Sequence, residues 1–317
     1  SAYITSAIFM HGGDRGPCPD HEGLSEFRKN HQNMQNIQQN DFATSILPRD
    51  KLINLRLKEI WRYRDLVSLF VRRDFVAKYK QTILGPLWFF IQPMLQTLVM
   101  TVVFGGMARL STDGIPPILF YLAGVTAWNY FAQCLVSTSN TFTLNAHLFG
   151  KVYFPRAVTP LSIIISNLIQ FGIGLLLFLG VYGYYALGDY PVSPNISLAL
   201  LPFLVVLMGF MGLGAGMLVS AMTTKYRDLQ QLVGFGVQLL MYATPVILPL
   251  SAVPEKYKII MLVNPMTGII ETFKFGFFGM GTLHWGLLTY SSVFTLFIFL
   301  TGLVIFNRTE KNFMDTV

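Results

Sequence analysis

The stretch TILGPLWFFIQPMLQTLVMTVVFGGMA, residues 82–108, contains no charged side chain. A helix needs about 20 mostly apolar residues to cross the hydrocarbon core of a bilayer, and this stretch exceeds that length. Five more charge-free stretches follow it along the chain. We therefore predict an all-α polytopic membrane protein with six transmembrane helices, at about residues 84–107, 118–136, 158–185, 196–222, 231–250 and 285–306.

The composition of the 317-residue chain supports this class. Hydrophobic residues make up 53% of the chain, charged residues only 12%, and the mean hydropathy is +0.51. Soluble domains carry about 25% charged residues, so these values exclude an ordinary soluble enzyme, a disordered chain and a small disulfide scaffold. The two cysteines lie too far apart in sequence to form a metal motif, and we predict no metal on this chain.

The distribution of basic residues predicts the orientation of the spans. Near the spans, fifteen Lys and Arg residues fall on the side of the two termini and four on the other side. Cytoplasmic loops carry the excess of basic residues, so we expect both termini in the cytoplasm. The same asymmetry accounts for the net charge of +7, and no nucleic-acid partner is predicted. Residues 1–50 are polar and are predicted to form a flexible cytoplasmic N-terminal extension, ahead of a transmembrane domain at 51–317.

Two segments are neither a span nor a simple loop. Residues 51–80 mix apolar and basic side chains, which favours an amphipathic helix in the membrane interface over a plain solvated flank. Residues 254–281 are apolar but interrupted by proline and glycine, so they suit short re-entrant helices that gate the outer side or, equally well, plain packing at the outer surface. The candidate gate residues are Asn264, Pro265, Glu271 and Lys274, of which the last two are spaced to pair on one helical face.

The chain contains no motif for nucleotide binding or hydrolysis. The patterns G-x-x-x-x-G-K-[ST], H-E-x-x-H and G-x-S-x-G are absent, and the predicted spans hold no Asp, Glu, Lys, Arg or His. We therefore predict no catalytic residue and no cofactor on this chain. If the chain moves a substrate uphill, we expect a partner to supply the energy. The spans contain aromatic and amide side chains instead, which suit carbohydrate but also serve hydrogen bonds between helices.

Four separated motifs resemble those of ABC-type polysaccharide export permeases, the family that includes the O-antigen, capsule and teichoic acid exporters. They are YKQTILGPLW at residues 79–88, KVYFPR at 151–156, TPVI at 244–247 and NPMTGIIE at 264–271. The likeness extends from about Leu52 to the C-terminus.

The resemblance implies a homodimer in a bacterial inner membrane that works with two copies of a separate ATPase subunit, on which ATP and Mg would bind. It implies a channel between the two copies, formed largely by spans one and five, with Trp88, Phe89, Gln92, Gln96, Gln238 and Tyr242 near the path. It also implies a cytoplasmic helix that couples to the ATPase, in the neighbourhood of Asn145, His147, Lys151, Tyr153 and Arg156.

These expectations combine into a function. The chain is predicted to be a permease, not an enzyme, that exports a lipid-linked polysaccharide, with O-antigen on undecaprenyl diphosphate as the first candidate. The basic residues of the interface helix would receive the lipid diphosphate, because such clusters favour anionic headgroups; they are Arg72, Arg73, Lys78 and Lys80. The alternatives are a capsule or teichoic acid exporter, an ABC permease for drugs or simple lipids, and a membrane-embedded enzyme that acts on lipid-linked sugars without a partner.

Overall fold

The computed structural model describes residues 62–80, 82–144, 158–188, 194–223, 226, 228–281 and 283–314, without the side chains of 78, 79 and 310–314. In this part of the chain the regular secondary structure is helical, which confirms the predicted all-α class. The α-helices are α1 (Arg64–Tyr79), α2 (Trp88–Met100), α3 (Pro117–Ser139), α4 (Val158–Ala186), α5 (Leu201–Thr223), α6 (Leu229–Tyr242), α7 (Glu255–Val263), α8 (Pro265–Phe278) and α9 (Trp285–Met314). Short 3-10 turns precede α2 and α5, and π-helical turns at Thr101–Met107 extend α2.

Among the described residues, five helical stretches are long and apolar enough to cross a membrane. They are Gly85–Met107, Pro117–Ser139, Val158–Ala186, Ile196–Thr223 and Trp285–Thr309. Their ends lie within three residues of five of the six predicted spans. Helix α3 is the centre of the bundle, since 78% of its most hydrophobic window is buried against 11% for the first span. Most of its side chains therefore lie against neighbouring helices.

The predicted span at 231–250 differs from the structure. Helix α6 ends at Tyr242, so its 14 residues extend about 21 Å, less than the hydrocarbon core of about 30 Å. The helix stops ahead of Thr244-Pro245, because a residue before proline is disfavoured in α-helical conformation. The 243–250 turn that follows is largely buried and packs so closely on α3 that a Cβ on Gly124 would lie 3.0 Å from the Val246 Cα.

Side-chain contacts define the two ends of the bundle. At the α1 end, the Thr223 hydroxyl donates to the Ser139 carbonyl at 2.9 Å, and the Gln230 amide donates to the Thr143 hydroxyl at 3.0 Å. At the hairpin end, named for the α7–α8 helical hairpin, the Ser251 hydroxyl donates to the Asp113 carboxylate at 2.7 Å. The Asn195 backbone N–H, after the third span, donates to the Gly276 carbonyl of α8 at 3.0 Å. The segments after the first and third spans and the hairpin thus share one end.

Glycines let the central helices approach each other closely. A Cβ on Gly212 of α5 would lie 2.7 Å from the Cβ of Cys134 on α3, and one on Gly214 would lie 2.7 Å from the Phe299 Cα on α9. Such small-residue contacts are the usual basis of close helix packing in membranes. They hold α3, α5 and α9 together as the packed core, beside which α2 and α6 lie with much of their surface exposed.

Candidate functional site

Helix α1 packs an apolar face on the end of the bundle. Val67 and Phe70 are buried in a cluster with Phe142, Val158 and Phe306, while Leu69 is 60% exposed. The ring of Phe75 stacks on Phe89 of α2 with 5.2 Å between centroids. Helical structure is thereby confirmed for the last part of the predicted 51–80 segment, and residues 51–61 lie outside the described residues.

The two arginines of α1 have different surroundings. Arg73 forms an ion pair with Asp74, with 2.8 Å between Nη2 and Oδ1, and its guanidinium lies 4.7 Å from the Phe70 ring centroid. Arg72 and Lys80 are exposed, and the side chain of Lys78 lies outside the described residues. Within the predicted diphosphate site, Arg72, Arg73 and Lys80 are all exposed, but Arg73 is also held by Asp74 and Phe70 of its own helix.

Four of the six predicted channel residues are exposed on two adjacent helices. Trp88 of α2 is 43% exposed and Tyr242 of α6 is 51% exposed, and the amides of Gln92 and Gln238 are exposed as well. The first span and α6 thus present aromatic and amide side chains at the surface of a single chain.

The other two predicted channel residues make contacts inside the bundle. Gln96 accepts a hydrogen bond from the Asn129 amide at 3.1 Å and donates to the Met241 sulfur at 3.7 Å. It therefore ties α2 to both α3 and α6, which is the interhelical role that amides in spans also serve. Phe89 is half-buried beneath α1.

A polar cleft of about 90 Å³ lies between α2, α3 and α4. Its amide side chains are Gln92, Asn129, Gln133, Asn167 and Gln170. Only Gln92 of this set was among the predicted channel residues. In the sequence, the other four are visible only as amides that recur in three successive spans. That they line the same cleft follows from the packing of the helices.

Aromatic rings complete the lining of the cleft. Trp88 and Phe89 come from α2, and Tyr130 and Phe171 lie against each other with 5.0 Å between ring centroids. Two buried polar atoms of the lining, the Asn167 amide nitrogen and the Thr126 hydroxyl, have no hydrogen-bond partner among the described residues. The cleft thus combines apolar ring faces with uncharged donors and acceptors.

Two predicted gate residues begin α8 and bind the rest of the hairpin end. The side-chain Oδ1 of Asn264 accepts a hydrogen bond from the Met266 backbone N–H at 3.0 Å, which caps α8. The side-chain Nδ2 of Asn264 donates to the Ala243 carbonyl at 3.3 Å. The Pro265 carbonyl accepts from the Ser291 hydroxyl at 2.6 Å. The start of α8 is thereby tied to the 243–250 turn and to α9.

Lys274 and Glu271 of α8, which is not one of the five spans, bind the same turn. Lys274 is only 4% exposed, its ammonium donates to the Pro245 carbonyl, and it lies 3.2 Å from the Phe120 ring centroid. Glu271 accepts from the Leu250 backbone N–H at 3.4 Å. Burial lowers the pKa of Lys274 to about 7, against the opposing effect of the negative charges of Glu271 and Asp113.

The sequence of the matched region identifies the family. The family model described as ABC-2 type transporter matches residues 65–278, which is from α1 to the end of α8. The chain belongs to the ABC-2 type transporter family. The resemblance seen in the sequence motifs is thereby confirmed at the level of the family.

Curated relatives of this ABC-2 transporter chain extend over most of its length. An O-antigen export system permease protein of Klebsiella pneumoniae is 26% identical over 79% of this chain and 94% of its own length. A Myxococcus xanthus protein of the same description is 28% identical over 69% of this chain and 82% of its own. A polysialic acid transport protein of Escherichia coli is 22% identical over 77% of this chain and 93% of its own.

The residues predicted to couple this ABC-2 chain to an ATPase are not part of the described structure. Asn145, His147, Lys151, Tyr153 and Arg156 all fall in the gap between 144 and 158. The structure describes both flanks of this gap, at the α1 end of the bundle, where Phe142 and Val158 lie in one apolar cluster.

Proposed function

We propose that this chain is the permease subunit of an ATP-driven exporter. It carries a lipid-linked polysaccharide from the cytoplasmic to the outer side of a bacterial inner membrane. O-antigen on undecaprenyl diphosphate is the first candidate cargo, because the O-antigen permeases among the relatives are 26% and 28% identical to this chain. A capsule polysaccharide is the second candidate, favoured by the polysialic acid transport protein at 22% identity.

The observation that carries the proposal is the exposure of amides and aromatic rings on α2 and α6. An amide that faces lipid leaves its donors and acceptors unpaired, which is expensive in a bilayer. Gln92 and Gln238 therefore need water, sugar hydroxyls or another protein surface in place of lipid. The nearby Trp88 and Tyr242 add flat apolar faces of the kind that stack on sugar rings.

A second copy of the chain supplies the other wall of the proposed path. A homodimer that joins through the exposed faces of α2 and α6 would enclose their polar side chains and give the polymer a route shielded from lipid. Two ATPase subunits, holding ATP and Mg, would drive the cycle, since this sequence has no P-loop. Their contact is proposed at residues 145–156.

We further propose six crossings, with the sixth made by α6 and the 243–250 turn together. Gln230, next to the start of α6, bonds to Thr143 at the α1 end, and Ser251, after the turn, bonds to Asp113 at the hairpin end. These contacts support a crossing by residues 229–251. The basic excess then supports cytoplasmic termini at the α1 end, and the α7–α8 hairpin becomes an outer gate.

The proposed receiver of the lipid diphosphate is the exposed basic surface of α1. Arg72 and Lys80 support this role by their exposure, and Lys78 by its position in the sequence. Arg73 contributes less directly, because its guanidinium is bound to Asp74 and Phe70. A guanidinium at the interface suits a diphosphate, since it donates two parallel hydrogen bonds.

Deletion of the gene tests the proposal, with surface and cytoplasmic polysaccharide measured separately. The expected result is loss of surface polymer and accumulation of lipid-linked polymer inside, both reversed by the wild-type gene on a plasmid. Chemical analysis of the accumulated polymer then distinguishes O-antigen from capsule. Unchanged surface polymer without internal accumulation would contradict polysaccharide export and favour a permease for drugs or simple lipids.

A further inference from the structure

The cleft between α2, α3 and α4 contains buried polar groups that the protein leaves unpaired. Asn167 is 2% exposed and Thr126 is 5% exposed, yet the amide nitrogen of the first and the hydroxyl of the second have no hydrogen-bond partner among the described residues. Buried polar atoms are nearly always hydrogen-bonded, and leaving one unmade costs about 1–3 kcal/mol. These two residues line the cleft, and the exposed side chains of Gln92 and Gln133 beside them offer the donors and acceptors that an occupant can reach.

The chemistry of the lining restricts that occupant. None of the residues around the cleft carries a charge at neutral pH, so nothing compensates the charge of a phosphate or another ion. Each amide offers both donors and an acceptor, which matches hydroxyl groups, since a hydroxyl both donates and accepts. A lipid chain would leave these amides unpaired. The occupant is therefore a neutral molecule rich in hydroxyl groups.

The aromatic side chains and the size of the cleft further restrict the kind of molecule that could occupy it. Trp88 lies at an exposed edge of the cleft, and Tyr130 and Phe171 pack against each other in its wall, so apolar ring faces alternate with amides. This combination fits a sugar ring, which has apolar C–H faces and a polar rim. The volume of about 90 Å³ is small, so the cleft suits at most one ring rather than a chain.

The cleft adjoins the proposed path, since Trp88 and Gln92 of the path also line it, but the two are not the same site. Its walls come from three helices of one chain, whereas Gln238 and Tyr242 of the path lie on α6. Phe89 links the cleft to α1, because it lines the cleft and stacks on Phe75. Building on the proposed export function, we infer that the cleft is a recognition site for a single neutral sugar residue of the cargo, held within each chain beside the interface helix.

Two matched pairs of substitutions test this site. On α4, Gly174→Leu extends a side chain into the cleft, whereas Gly172→Leu adds the same side chain where nothing lies within 4 Å of a Cβ. On α3, Thr126→Val removes the unpaired hydroxyl of the cleft, whereas Thr138→Val removes a buried unpaired hydroxyl elsewhere. The threonine changes keep the side-chain shape, so they remain informative if a leucine variant does not fold.

The measurement is saturation-transfer NMR on the full-length chain in nanodiscs with glucose, galactose, mannose, rhamnose or N-acetylglucosamine. We expect saturable binding of at least one of these sugars to the wild type, Gly172→Leu and Thr138→Val, and at least tenfold weaker binding to Gly174→Leu and Thr126→Val. Surface polysaccharide should fall in cells that carry either of the two cleft variants.

Two results overturn the sugar site. One is no saturable binding of any of the five sugars, which leaves a water-filled cleft. The other is equal binding by the cleft and control variants. If gene deletion still abolishes surface polysaccharide while the cleft variants export normally, the sugar site alone is wrong. If deletion leaves surface polysaccharide intact, the proposed export function is wrong as well.

Discussion

The cleft and the 243–250 turn are both polar regions inside an apolar bundle. They differ in whether their buried polar groups are hydrogen-bonded by other side chains. In the turn, the Pro245 carbonyl and the Leu250 N–H are bound by Lys274 and Glu271 of α8. In the cleft, buried polar atoms of Asn167 and Thr126 lack partners among the described residues. The difference separates a region held closed by its own side chains from one that we propose binds a ligand.

The largest expected effect comes from breaking the contacts of the turn. Lys274→Met removes the donor to the Pro245 carbonyl and leaves Glu271 buried without its opposing charge. The lost charge-assisted hydrogen bond and the lost cation–π contact with Phe120 together cost about 2–4 kcal/mol, so the unfolding temperature in detergent should fall sharply.

The control for this change is the double variant Lys274→Met/Glu271→Gln. It removes both charges, so part of the lost stability should return, as a double-mutant cycle detects for coupled residues. Equal unfolding temperatures for Lys274→Met and wild type would show that the buried lysine does not hold the turn.

The next effect is a dependence of stability on pH. The pKa of Lys274 is lowered from 10.5 to about 7 by burial, in surroundings that also hold Glu271, Asp113 and His284. Between pH 7.5 and 9.5 the unfolded lysine keeps its proton while the folded one has lost it, so stability rises with pH, by up to about 1.4 kcal/mol per unit. The unfolding temperature of the wild type should therefore rise relative to that of Lys274→Met, and parallel pH profiles would contradict the lowered pKa.

A smaller effect compares the same substitution in the two regions. Gly124→Ala places a Cβ 3.0 Å from the Val246 Cα of the turn, whereas the Cβ of Gly174→Ala in the cleft lies 3.6 Å from the Thr126 methyl group, an ordinary contact. We expect Gly124→Ala to lose about 1–3 kcal/mol by overpacking and Gly174→Ala to gain up to about 1 kcal/mol from helix propensity. Equal unfolding temperatures for the two variants would contradict the inferred difference in packing between the two regions.

The smallest expected effect on stability, and a clear one on export, concerns the arginines of α1. Exposed Arg72→Ala should change stability by no more than about 0.5 kcal/mol. Arg73→Ala loses its contacts with Asp74 and Phe70, which contribute about 1 kcal/mol. Surface polysaccharide should fall further in Arg72→Ala than in Arg73→Ala, at equal amounts of chain in the membrane. Normal export by Arg72→Ala would contradict the proposed diphosphate site.

Much of the fold could be predicted from the sequence, because long charge-free runs have one stable solution in a bilayer. Five spans follow from such runs with ends within three residues. The end of α6 could not be predicted this way. Its apolar run continues to Leu250, but the turn replaces helical hydrogen bonds with contacts from Lys274 and Asn264, which are distant in sequence.

The candidate site was predictable by residue type and less so by position. Trp88 and Gln92 were predicted by their aromatic and amide character, and both are exposed. Gln96 has the same character but ties helices together, because it faces Asn129 and Met241. In the sequence, Lys274 is counted among the basic residues of the outer side, yet it is buried. Its burial could not be predicted, because a count of charges contains no information on packing.

The central claim is that a polysaccharide passes along the exposed polar faces of α2 and α6. A photo-crosslinking amino acid in place of Gln92 tests it most directly, with Leu179 as the control, an apolar residue 41% exposed on α4. After irradiation of exporting cells, the account predicts a ladder of polysaccharide attached to the chain from position 92 and little from 179. No attached polysaccharide at position 92, or equal ladders from both positions, would contradict the proposed path.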